Sequence, residues 1–160
     1  MKKMLMAVLA LLMTGSMAMA QRVELIPAGG KGDGFTGLKV TYNEADVKTS
    51  EIAFVNGQAE GKITRFFENG QVKETGFYLA GQKHGSWSAY NENGKLMSTA
   101  HFHNGNKDGE WLVWDTDGNL RYKLTYKNGE PVGEWAMFDE RGKVSNSKQL
   151  EGESSNAQAK

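Results

Sequence analysis

Residues 85–108 read GSWSAYNENGKLMSTAHFHNGNKD, and this stretch decides the fold. Two short runs rich in aromatic, β-branched and small residues, about 85–90 and 95–103, are separated by Asn91-Glu92-Asn93-Gly94. A second connection, Asn104-Gly105-Asn106-Lys107-Asp108-Gly109, follows. Asn and Gly fill such turns because they accept positive φ at low cost. Both connections are read as about four residues long, which makes each joint an antiparallel hairpin. No run has the 3.6-residue period and length of a helix.

The same stretch recurs along the chain. Gly57, Gly81, Gly105 and Gly129 are spaced by 24 residues, as are Gly61, Gly85, Gly109 and Gly133, and Gly70, Gly94, Gly118 and Gly142. Aromatic and aliphatic positions keep the same interval. Phe54, Tyr78, Phe102 and Tyr126 form one series; Ile63, Trp87, Trp111 and Trp135 another; Phe66, Tyr90, Trp114 and Phe138 a third. Val72, Leu96, Leu120 and Val144 follow the third glycine series by two. Agreement at so many positions without one insertion defines a repeat. Stepping back once more gives a degenerate copy over 37–60, in which Gly37 and Tyr42 stay in register and Asp46 stands where the turn glycine belongs. Terminal repeats commonly differ because they cap a stack. The expected architecture is therefore all-β: an elongated antiparallel meander of 24-residue β-hairpins over 37–150, a cap and four repeats, with roughly ten strands.

The flanks read differently. Residues 1–20, MKKMLMAVLALLMTGSMAMA, have a positive start at Lys2 and Lys3, ten apolar residues from Met4 to Met13, and the small-residue site Ala18-Met19-Ala20. That is the pattern of a cleaved secretory signal peptide. A membrane span needs about 20 apolar residues, twice this run. An exported protein, periplasmic or secreted, is expected. Residues 21–36 form a lead-in outside the pattern, and the polar tail 151–160 is read as disordered.

Composition narrows the function classes. Lys2 and Lys3 account for two of the 19 basic residues, so the rest of the chain holds 17 against 19 acidic ones. Such a balance disfavours nucleic acid, whose phosphates need a basic patch. The absence of cysteine excludes disulfides, thiolate metal sites, a cysteine nucleophile and a lipid anchor on a leading cysteine. No Gly-x-Ser-x-Gly elbow occurs, and recurring acids such as Glu110 and Glu134 mark a surface pattern. No enzyme activity and no cofactor are expected.

Two clusters invite a metal. His101 and His103 share one face of a strand, and pairing Tyr90 with Lys95 sets Trp87 opposite Ser98 and His84 opposite His101. Three histidines can hold zinc. Other repeats carry Phe77 and Leu79, or Thr125 and Lys127, in the same places, so surface histidines are the expectation. Asp115-Thr116-Asp117-Gly118-Asn119 opens like a calcium loop but lacks the bidentate glutamate at the twelfth position. It is a turn filled with turn residues, and no metal site is expected.

Tyr126-Lys127-Asn128-Gly129 through Gly133-Glu134-Trp135, with Phe102-His103-Asn104-Gly105 through Gly109-Glu110-Trp111, resembles the MORN repeat. The chain looks closest to bacterial MORN-variant proteins of the antitoxin-like YwqK family, over about residues 37–145. The resemblance implies an extended β array that binds or scaffolds a partner, with protein scaffolding and membrane-lipid binding both proposed for other MORN proteins. An exported chain departs from a cytoplasmic antitoxin, and Ile63 and Ala80 depart from the repeat's Trp and Asn.

Alternation along the strands sorts the aromatics. With Asn104 opposite Gly109 and Phe102 opposite Trp111, the residues Trp87, Trp111, Trp135, Phe102 and Tyr126 share one face. Tyr90, Trp114, Phe138, His101 and His103 share the other. Packing of repeat on repeat is expected for Trp87, Trp111 and Trp135, and an open binding row for Tyr90, Trp114 and Phe138. The partner is read as another protein. A cell-wall glycan is the alternative, and lipid is the least favoured because no basic cluster appears. The sequence leaves the oligomeric state and the ligand's identity open.

Overall fold

The computed structural model describes residues 21–29 and 32–150. The expected leader (1–20) and tail (151–160) lie outside the described residues. Eleven strands form one antiparallel sheet in chain order. They are β1 (Arg22–Pro27), β2 (Gly37–Tyr42), β3 (Lys48–Val55), β4 (Gln58–Phe66), β5 (Val72–Leu79), β6 (Gln82–Tyr90), β7 (Leu96–His103), β8 (Asn106–Trp114), β9 (Leu120–Lys127), β10 (Glu130–Phe138) and β11 (Val144–Leu150). Residues 21–36, outside the repeat pattern, supply β1. At about 4.8 Å per strand interval the sheet runs about 48 Å across its strands, each at most about 30 Å long. The meander of hairpins is the all-β class expected from the glycine clock.

Two kinds of turn alternate, and the sequence reading misjudged one of them. Asn104-Gly105 is a two-residue connection, with φ of 47° and 83°, so β8 begins at Asn106 and not four residues on. Positive φ at both positions is the type I′ geometry that matches the twist of paired strands. The other connection spans Asn91 to Lys95. Asn91 N–H donates to Lys95 O (2.9 Å), and Gly94 N–H returns to Asn91 O (2.9 Å). The Asn91 side-chain oxygen accepts the backbone N–H groups of Asn93 and Lys95, each at 3.0 Å. Asp115 and Asp139 do the same one and two repeats later, and Asp46 of the first hairpin takes the positive φ (59°) that glycine takes elsewhere.

These turns and their bulges correct the expected register. Tyr90 pairs with Leu96, not Lys95, and a bulge then sets Ala89 against Ser98, Trp87 against Ala100 and Ser86 against His101. Phe102 pairs with Lys107, not Trp111. A second bulge beside Gly109 brings Trp111 opposite Ala100. Both Trp87 and Trp111 thus slip by two residues, which leaves every side chain on its expected face.

Ala80 stands where the other two-residue turns have Asn, and it holds φ at 49°. A β-carbon in this region costs about 1–2 kcal/mol, which Asn partly relieves through local hydrogen bonding. The Ala80 N–H already donates to Glu60, as Asn128 N–H does to Asp108. Ala80→Asn is therefore expected to stabilise the protein by about 1 kcal/mol. A denaturant midpoint that does not rise would contradict this account of the turn.

Candidate functional site

The two faces of the sheet treat their aromatics differently. On the first, the cross-strand row runs Ile52, Ile63, Gly76, Trp87, Ala100, Trp111, Leu124. Small neighbours let a large side chain sink: Trp87 lies between Gly76 and Ala100 and is 3% exposed. Tyr78 and Phe102 meet the Trp87 ring edge-on at 5.3 and 6.0 Å. Lys83 Nζ sits 3.8 Å from the Trp87 ring centroid and 5.0 Å from that of Phe102. One repeat on, Lys107 Nζ lies 3.5 Å from Trp111 and 4.7 Å from Tyr126, whose rings are 5.7 Å apart. Burial lowers the Lys107 ammonium from its ordinary pKa. Around Trp87 and Trp111 this face is covered by the chain's own rings and lysine ammonium groups, whereas among the described residues no cation or second ring packs on Trp135.

On the opposite face, Tyr90, Trp114 and Phe138 each end a strand, half-buried, beside the longer turns. Tyr42 and Phe66 end β2 and β4 in the same way and extend the row. Successive members lie two strands apart, about 9.4–9.8 Å. Arg22 lies over Tyr42 (3.6 Å), and Lys48 over Phe66 (4.5 Å). Among the described residues, no cation or second aromatic ring packs on Tyr90, Trp114 or Phe138. A groove of about 260 Å³ opens beside Tyr90, lined in part by Thr64, Val72 and Thr75.

The longer turns next to this row are acidic. Residues 43–47, 67–71, 91–95, 115–119 and 139–143 hold eight acids, Glu44, Asp46, Glu68, Glu92, Asp115, Asp117, Asp139 and Glu140, against Lys95, Arg141 and Lys143. The backbone N–H of Asn119 holds the Asp115 carboxyl below the usual carboxylate range against the opposing effect of burial, helped by the Asn119 side chain and the N–H groups of Asp117 and Gly118. Sequence reading missed this edge and left Tyr42 and Phe66 out of the candidate site, although the 24-residue spacing carries both.

The expected pairing of His84 with His101 does not form. His84 neighbours His103, with ring centroids 5.4 Å apart, while His101 pairs with Ser86 at 3.1 Å. The slip of register moves His84 one pair along. Among the described residues, no group of three or more His, Cys, Asp or Glu is placed to hold a metal ion.

Comparison with known proteins bears on the repeat. Residues 59–80, 83–104 and 107–128 match the family model described as MORN repeat variant. These three segments are similar to the MORN repeat variant. Each matched segment runs from the start of one bulged strand to the two-residue turn beyond the next. No curated protein matches the chain. Among solved structures, the "Crystal structure of GtfA/B complex bound to UDP and GlcNAc" matches with a TM-score of 0.32 and 11% identity, over 78% of this chain and 25% of that one. The chain thus spans a quarter of that protein's length, and so low a likeness has no bearing on function.

Proposed function

We propose that this is an exported, non-catalytic repeat protein that holds a protein partner along Tyr90, Trp114 and Phe138. One observation carries the choice of face: these rings have neither a cation nor another ring on them among the described residues, whereas the Trp87 and Trp111 rings have both. Aromatic side chains bury large areas at little entropic cost, which is why they dominate the centres of protein interfaces. Export rests on the leader pattern of residues 1–20.

Photo-crosslinking in living cells from position 114, with position 87 as the control, tests this reading. A discrete protein adduct from 114 alone is expected. No protein adduct from either position overturns it and turns attention to cell-wall glycan, for which flat aromatic rows are equally suited.

A further inference from the structure

We infer that the partner docks through a basic, extended segment whose cationic side chains sit over Tyr90, Trp114 and Phe138; this rests on the protein-binding reading above. The row itself shows the chemistry it accepts. Its first two rings, Tyr42 and Phe66, are covered by the chain's own Arg22 and Lys48. The next three rings repeat the geometry and receive no cation from the described residues. A guanidinium or ammonium is drawn to an aromatic face by the ring's quadrupole, and an added cation over Trp114 also meets Asp115 and Asp117 of the turn 115–119, whereas the turns after Tyr90 and Phe138 balance their acids with Lys95, Arg141 and Lys143. Glu68, Glu92 and Glu140 lie in the turns flanking the row, and among the described residues no side-chain ion pair engages them. The edge thus favours a basic ligand over an acidic glycan, an anionic lipid surface or a nucleic acid.

Spacing sets the form of the segment. Rings two strands apart lie about 9.4–9.8 Å from one another. A polyproline II chain has three residues per turn and a rise of 3.1 Å, so its side chains return to one side about every 9.3 Å. Lys or Arg at every third position therefore meets successive rings. An α-helix rises only 1.5 Å per residue and returns to the same side after two turns, about 10.8 Å, which drifts from the rings with each step. Such a segment needs no free sheet edge.

A synthetic peptide with the sequence Lys-Pro-Pro repeated four times supplies the probe, measured by isothermal titration against the protein as purified. The Glu-Pro-Pro peptide and a peptide of equal composition with its lysines clustered are the comparisons. The expected result is binding of the first peptide at least tenfold tighter than either comparison, weakening as salt rises. Trp114→Ala should lower that affinity tenfold or more, with Trp114→Tyr keeping most of it; the double variant Glu92→Gln/Glu140→Gln should flatten the salt dependence. Equal affinity for the spaced and clustered peptides overturns the spacing argument, and no binding overturns the inference as a whole. A protein adduct from position 114 whose contact segment is acidic or neutral also overturns it while leaving the protein-binding reading intact. Absence of any adduct removes both.

Discussion

Replacing Trp87 with alanine is expected to cost about 3–5 kcal/mol, the range for truncating a buried aromatic residue. Trp87 is 3% exposed although the described residues form a single sheet. Its cover is lateral: Tyr78 and Phe102 edge-on, and the Lys83 stem above. Removal strands these groups around a hole they cannot close, because the bulged strands fix their spacing. The array is quasi-one-dimensional, each repeat contacting its neighbours, so loss of the middle repeat also uncouples the two ends. Chemical denaturation should show a lower midpoint and a broader transition. A change below about 1 kcal/mol would mean that the Trp87 row does not hold the repeats together.

The second large effect is expected at Gly76. A β-carbon built there falls 2.2 Å from Trp87 Cδ2 and 2.4 Å from Cε2, so any side chain must push the indole out of its place. Gly76→Val is expected to cost about 1–3 kcal/mol through overpacking. The partner of that clash is one residue, so shrinking it should compensate. In a Trp87→Leu background, Gly76→Val should cost far less than alone, an interaction that a double-mutant cycle measures. Simple additivity of the two changes would show that Gly76 is needed for some reason other than room for the ring.

The legible part of the fold was the part set by local chemistry. The three glycine series mark the two-residue turns, the bulges and the positive-φ residue of the longer turns, so their 24-residue interval is the repeat itself. The two faces were also legible, because alternation along a strand survives a slip of two residues. Register was not legible: it depends on how many residues each bulge absorbs, and Leu96-Met97 and Asp108-Gly109-Glu110 look no different from continuous strand. The two-residue turn at Asn104-Gly105 was missed because Asn106, Lys107 and Asp108 look like loop residues yet continue the β8 ladder. The importance of Gly76 was invisible too, since it lies outside the glycine series and matters only through Trp87, eleven residues away. As for the candidate row, spacing revealed Tyr90, Trp114 and Phe138. Which rings the chain caps with its own cations depended on the reach of Lys83, Lys107, Arg22 and Lys48, which only side-chain geometry gives.

The central claim is a division of labour between two aromatic rows, one that holds the sheet and one that faces a partner. Its most direct test is paired denaturant unfolding of Trp87→Ala and Trp114→Ala, read on the same day against the parent protein. The account predicts a loss of about 3–5 kcal/mol for the first and a smaller one, about 1–2 kcal/mol, for the half-buried second. Equal losses, or a larger one at Trp114, would contradict it.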